Sequence, residues 1–309
     1  VTATAAPAPA RDRLAPLRRW TPAVLVANLV GQVVIIVTGG AVRLTDSGLG
    51  CSTWPQCHPG QFTAQYHAAT SYHEIVEFTN RTLTGALGVI GLLVLLLVWT
   101  DRTRTPAYRR LGAAPLVGVL AQALIGGVVV LLHLHPGWVS LHFGVSAGLV
   151  WLSAYLLHRH REGDGAPVRV ASAAVARTGW ALSALLVAVV AAGVVVTGAG
   201  PHSGDDTVGY RFAVDPLLVT RLHSGAVWLF VGALVVLLTQ LHRTPTTPAV
   251  TRARRAAWLL VVVTLLQGAV GYTQYFTGLP ALLVGAHMLG AALLVWATAN
   301  AVLHLRTRA

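Results

Sequence analysis

The sequence predicts an all-α integral membrane protein, with eight transmembrane helices arranged as two repeated four-helix bundles. Three observations carry this. Hydrophobic residues make up 55% of the chain and charged residues only 10%, where a soluble domain carries about 25% charged. The apolar residues gather into eight runs, each reaching or approaching the ~20 residues that cross a hydrocarbon core as helix. The runs are continuously apolar rather than alternating, which favours helices over a barrel.

The first run, 22–42, is too long for a cleavable signal and passes through "GGAVRLTDSGLG" into a long outer loop, 43–72. The second, 76–99, is opened by the polar stretch "HEIVEFTNR". Runs 111–132 and 138–157 are joined by the short link "HLHPGW", which makes them antiparallel neighbours. After "HRHREGDGAPVRVASAAVAR" come 178–197 and 216–241, with a moderate loop between them, and then 256–275 and 280–304 across "FTGLP".

The two halves, 1–165 and 166–309, read as a repeat. "QALIGGVVVL" from Gln122 corresponds to "QGAVGYTQYF" from Gln267, and "LHFGVSAG" around His142 to "AHMLGAAL" around His287. Both pairs share one offset of 145 residues. An even number of helices per half makes the repeat parallel, a symmetry that transporters also use.

The formal net charge of +12 comes with no lysine at all: every basic residue is arginine. Eighteen of the 22 fall on one side, at the N-terminus (Arg11, Arg13, Arg18, Arg19), in three loops and at the C-terminus (Arg306, Arg308). Under the positive-inside rule that side and both termini are cytoplasmic. The charge therefore reports topology, not a nucleic-acid partner. Arg43, Arg81, Arg211 and Arg221 run against the bias, and two readings stand for them: snorkelling anchors of helix ends, or clamps for an anionic group.

Most of the 13 histidines lie in loops or beside the cytoplasmic arginines, and His58, His67, His133, His135 and His202 have weak claims to a role. His73, His142, His223 and His287 all fall near the outer ends of helices, at a shared depth of roughly 5–10 Å. His223 and His287 come from alternate helices of one bundle, each seven residues after a proline. Two opposed imidazoles in an apolar bundle suit the axial positions of a haem iron. The bland alternative is core histidines bonded to backbone, and a zinc site lacks third and fourth ligands. Arg221 beside His223, and Arg81 in the first half, would suit the haem propionates. On the second helix His73, Glu77 and Asn80 share one face, the wall of a pocket in the first bundle. The two cysteines, Cys51 and Cys57 in "GCSTWPQC", lie in the outer loop, where an oxidising compartment favours a disulfide. A redox-active pair is the alternative, although the spacing is not C-x-x-C.

"GLGCSTWPQC", the E-x-x-N-R of Glu77 to Arg81, "RLHSGA" with His223 and "GAHMLGA" with His287 together resemble the heme A synthase family, over nearly the whole chain past residue 20. The resemblance implies a haem-dependent oxidoreductase in the cell (cytoplasmic) membrane, with haem sites near the outer face, that oxidises a methyl group of haem O to the formyl group of haem A. It implies His223 and His287 as axial ligands of a haem b iron, His142 as one of two histidines for the substrate haem, Glu77 as a carboxylate in the reaction, and Cys51 and Cys57 as the family's paired cysteines. Haem O synthase and terminal-oxidase assembly factors are the implied partners, with an electron donor that the sequence does not name.

Two departures stand out. Asn80 occupies the place of an expected histidine, with His73 as the natural substitute about 10 Å higher along the axis. The second outer loop, "GAGPHSGDD", has no cysteines. The rival function is a bis-histidine transmembrane cytochrome b carrying electrons between quinol and an outer acceptor; a transporter is weaker, because no helix shows paired interruptions.

Overall fold

The structure is a computed structural model that describes residues 14–64 and 72–308. Arg11, Arg13, His67 and the 65–71 part of the long loop lie outside the described residues. Among the described residues, eight helices are long and apolar enough to cross a membrane. A 3-10 turn, Ala15–Trp20, leads into α1 (Thr21–Leu44); α2 is Tyr72–Trp99. The third span is broken into α3 (Pro106–Leu111) and α4 (Ala114–Leu131), followed by α5 (Pro136–Glu162). The second half comprises α6 (Ala173–Ala199), α7 (Pro216–Arg243), α8 (Pro248–Phe276) and α9 (Ala281–Leu303).

Several helices run one or two turns past the apolar windows of the sequence. Hydropathy marks only the part suited to lipid, whereas caps decide where the helix begins. Ser172 and Thr247 accept from the backbone N–H of Val175 and Val250, and Asp215 from that of Leu217. Such caps satisfy N–H groups that have no partner in the first turn. Pro106, Pro136, Pro216 and Pro248 occupy first-turn positions, where a missing N–H costs nothing.

The helices pack as two rings. In the first, α1 meets α2, α2 meets α4, α4 meets α5 and α5 returns to α1; in the second the order is α6, α7, α8, α9 and back to α6. The rings join where α5 and α1 lie against α9 and α5 lies against α6. The buried core runs through this junction, with Leu156, Leu182, Leu237 and Leu260 fully covered. A hydrogen bond from Asn28 Nδ2 to Ser153 Oγ (2.8 Å) ties α1 to α5 within the first ring. Outward faces carry Leu120, Val187, Leu265 and Phe276, as lipid-facing helices do.

At the arginine-rich end the segment after α5 pairs with the chain's last strand: β1 (Pro167–Arg169) runs antiparallel to β2 (Arg306–Arg308). Asp164 anchors the same end. Its carboxylate accepts from Arg104 Nε (2.7 Å), the Thr105 N–H (2.9 Å) and Arg159 Nη2 (3.1 Å). The Arg104 hydrogen bond, chief among these, holds the Asp164 carboxyl well below the usual carboxylate range. A depressed carboxylate contributes stability above its unfolded value of 3.8 that is lost as pH falls further. Asp164→Asn is therefore expected to melt below wild type at pH 7 in detergent, with the gap closing as pH falls below about 4. A gap unchanged by acid would show that this ion pair is idle.

Candidate functional site

The chemistry-bearing residues gather at the opposite, cysteine-bearing end. There the apolar sequence leaves few polar groups, and each must find a partner within the protein.

In the second ring, His223 (α7) and His287 (α9) sit on helices that face each other across the ring. The His223 Nδ1 pairs with the Val189 carbonyl of α6 at 3.0 Å, which leaves Nε2 free. The His287 Nδ1 is buried with no hydrogen-bond partner. Each ring lies on a glycine of the preceding helix. A Cβ on Gly193 would stand 3.2 Å from the His223 Cε1, and one on Gly271 only 3.0 Å from the His287 Cε1. Either contact would force the imidazole to move. Gln267 Nε2 donates to the His287 carbonyl at 2.9 Å, bracing α8 against α9 at the histidine's own level.

The first ring repeats part of this arrangement. Gln122 Nε2 donates to the His142 carbonyl at 2.9 Å. A Cβ on Gly126 would stand 3.3 Å from the His142 Cε1. The His142 Nδ1 is likewise buried without a partner. On α2, the helix across the ring from α5, Asn80 Oδ1 accepts from Thr38 Oγ1 of α1 at 2.8 Å. The amide thus turns sideways to its neighbouring helix. His73 is also tied up, its Nδ1 meeting Ser47 Oγ at 3.0 Å in the loop after α1. That contact ties the start of α2 to the outer loop.

Glu77 and Arg81 change most relative to the sequence reading. Glu77 is 5% exposed. Its Oε2 accepts from the Cys51 N–H at 2.6 Å, and its Oε1 accepts from Arg81 Nε (3.2 Å) and Nη2 (2.5 Å). Arg81 then donates through Nη1 to the Thr53 and Gln56 carbonyls (2.9 and 3.1 Å) and through Nη2 to that of Cys51 (3.3 Å). All five N–H donors of the guanidinium are used, so Arg81 has none left for a propionate. Together the pair clamps the loop closed by the Cys51–Cys57 disulfide, whose sulfur residues are fully buried. The loop's Trp54 is wedged against α4, where a Cβ on Gly127 would lie 2.5 Å from the indole. Cys57, His58 and Glu74 cluster as metal ligands do, but the Cys57 sulfur is spent in the disulfide.

Two of the other three outlying arginines serve loops as well. Arg43 donates to the Thr197 carbonyl (3.1 Å) and to that of His202, joining α1 to the loop after α6. Arg211 donates to the Gly200, Pro201, Val208 and Tyr210 carbonyls. Arg221 alone of the four is exposed and makes no hydrogen bond or ion pair among the described residues. Neither reading offered for this group in the sequence covers the loop stapling found at Arg43, Arg81 and Arg211.

A match to a family model decides the family: that for the cytochrome oxidase assembly protein family COX15-CtaA fits residues 22–299. The chain belongs to the COX15-CtaA family. Among curated relatives it is 33% identical over 137 residues to the heme A synthase of Lysinibacillus sphaericus (strain C3-41), covering 43% of this chain and 41% of that one. It is 28% identical over 131 residues to the heme A synthases of Bacillus mycoides (strain KBAB4) and Bacillus cereus (strain AH187), covering 42% of this chain and 41% of each. The matched stretches thus span about two fifths of these relatives' length. The COX15-CtaA match takes in every histidine and cysteine discussed above.

Sequence reasoning had no hold on Ser47, Thr38 and Trp54, whose partners lie on other elements. Gln122 and Gln267 were visible as repeat markers. Their role was hinted at by a buried amide recurring in two apolar runs at one distance from a histidine.

The clamp makes a measurable difference. Arg81→Ala leaves the buried Glu77 carboxylate without its cation, a loss of about 3–5 kcal/mol for a buried pair. The Cys51–Cys57 bond is then expected to open to a membrane-impermeant phosphine, read by maleimide labelling. Wild type and Arg221→Ala should resist. Arg81→Lys should recover only part of the protection, since three donors replace five.

Proposed function

We propose that this chain is a heme A synthase of the cell membrane, with its haem sites near the outer face, oxidising the methyl substituent of haem O to the formyl group of haem A. The observation that carries this is an asymmetry between two rings of similar build. One carries histidines on two facing helices, and the other carries His142 on α5 with an asparagine, Asn80, on the facing helix α2. A pure electron carrier would keep both ligand pairs, whereas an enzyme needs one site left open to its substrate. Membership of the family and the names of the relatives support the same reading.

The residues of the second ring fit a resident haem b. His223 has a fixed ring with a free Nε2, His287 has a buried unpartnered nitrogen, and the two glycines give both imidazoles room. Such outer partners orient a metal-binding histidine. When bound, that group supplies one-electron redox chemistry at the edge of the membrane. His223 and His287 would hold its iron, and Arg221, two residues from His223, would offer a free guanidinium to a propionate.

In the first ring His142 faces the substrate haem O. Conversion of methyl to formyl removes four electrons in two successive hydroxylations, with dioxygen or an electron acceptor outside this chain as the oxidant, after which the gem-diol loses water. Asn80, bound to Thr38, leaves the space opposite His142 without a second strong ligand. Glu77 acts mainly through position. It can exchange a proton with substrate only by releasing the Cys51 N–H or Arg81, so its first role is to hold the loop and Trp54 over this ring. Haem O synthase and terminal-oxidase assembly factors are the partners that would supply the substrate and take the product.

Pigment extraction from the purified protein tests the reading. Haem b accompanied by haem O or haem A supports the synthase; haem b alone, even when cells are supplied with haem O, overturns it. His223→Ala and His287→Ala are expected to lose the resident haem. Glu77→Ala should keep that haem while haem A falls by roughly tenfold to a hundredfold, the range for a supporting residue. Normal haem A in Glu77→Ala would remove this residue from the site.

A further inference from the structure

At the arginine-rich end, away from His142, His223 and His287, the junction between the rings opens into a groove of about 890 Å³ between α1, α5 and α9, with α8 at its mouth. Its walls and its rim differ in chemistry. Along α1 it is lined from Val26 to Val34, and along α9 from Leu293 to His304. At 1.5 Å per residue these stretches run about 12 and 16 Å along the helix axes. That is close to one leaflet, half of the roughly 30 Å hydrocarbon core. The deep part is aliphatic apart from Trp296.

The rim carries Arg161, Arg252 and Arg306, with Glu162 the one acidic residue among the lining side chains. Glu162 is already shared, accepting from Arg159 and Arg308 and lying 3.5 Å from the Arg306 Nη2. Arg161 and Arg252 are exposed. The Nε and Nη2 of Arg306 are buried and have no hydrogen-bond acceptor, although the guanidinium lies over the Tyr155 ring at 5.3 Å. Buried guanidinium N–H groups without acceptors call for one, and a phosphate diester is the acceptor that a guanidinium fork matches best.

We propose that this groove is a binding site for one anionic phospholipid, its acyl chains lying between α1 and α9 and its phosphate held by Arg161, Arg252 and Arg306. Charge and geometry select this occupant. A free phosphate would leave the apolar trough empty, and a neutral lipid would leave two net positive charges at the rim unanswered. Basic pockets between membrane helices hold acidic head groups on this principle. The site lies where α1 and α5 of one ring meet α9 of the other, so a bound lipid fills the seam that joins the rings.

Native mass spectrometry of the whole protein tests this, with phosphatidylglycerol or phosphatidylcholine added to delipidated micelles. One phosphatidylglycerol is expected to remain bound at collision energies that strip phosphatidylcholine. The triple variant R161Q/R252Q/R306Q is expected to lose that preference by about tenfold or more, the scale of three charge-assisted contacts. A control variant, R102Q/R110Q, removes cations outside the groove and should behave as wild type. Val30→Trp, which fills the trough and leaves the rim intact, should also abolish retention. Equal retention of both lipids, equal loss in the control, retention undiminished in Val30→Trp, or inorganic phosphate competing as well as the lipid would each overturn the proposal. Circular dichroism of every variant separates a lost site from a lost fold.

Discussion

A polar group inside the hydrocarbon layer has no water to turn to, and the cysteine-bearing end of this chain is built around that constraint. Glu77, Arg81, Asn80, Gln122 and Gln267 each spend their hydrogen bonds on a neighbouring helix or loop. What results is a set of cross-braces at one level of the array. The exceptions gain meaning from the same rule. The Nδ1 atoms of His142 and His287 are buried and unpartnered, as are the Oε1 atoms of the two glutamines beside them. Unsatisfied groups in such a place are costly, so their concentration around these two imidazoles marks where the protein expects something else to be.

Arginines staple segments through backbone carbonyls at both ends of the helical array, as at Arg43, Arg81 and Arg211 at one and Arg104 and Arg254 at the other. Carboxylates join them at both ends too: Arg81 meets Glu77, Arg104 and Arg159 meet Asp164, and Arg306 and Arg308 surround Glu162. A five-donor fork suits both tasks because it can satisfy several acceptors that belong to different segments. This bears on the absence of lysine in the chain: an ammonium with three donors could not replace Arg81 without freeing part of the loop.

Much of the architecture was legible in the sequence because lipid imposes length and continuity on every span. The windows 22–42 and 216–241 fall inside α1 and α7, while 256–275 falls well inside α8, which starts at Pro248 because Thr247 caps it. Hydropathy cannot see a cap beyond the lipid. The break in the third span, between α3 and α4 at Gly112, was invisible for the same reason. At the site, residue types and depth pointed to the histidines. Periodicity placed His73, Glu77 and Asn80 on one face but could not say what each touched. Their partners, Ser47, Cys51 and Thr38, lie up to 42 residues away, so the distinction between a pocket wall and a loop clamp needed three dimensions.

The contact of each imidazole with a glycine has a consequence for inheritance. Gly126, Gly193 and Gly271 carry no chemistry, yet one added methyl at any of them displaces a ring that must be held still. A change from glycine to alanine, ordinarily among the mildest in an apolar helix and one that favours the helix, is here a change to the seating of a buried imidazole. Natural variants at these three positions should therefore be weighed alongside the histidines themselves, and drift in one ring need not be matched by drift in the other.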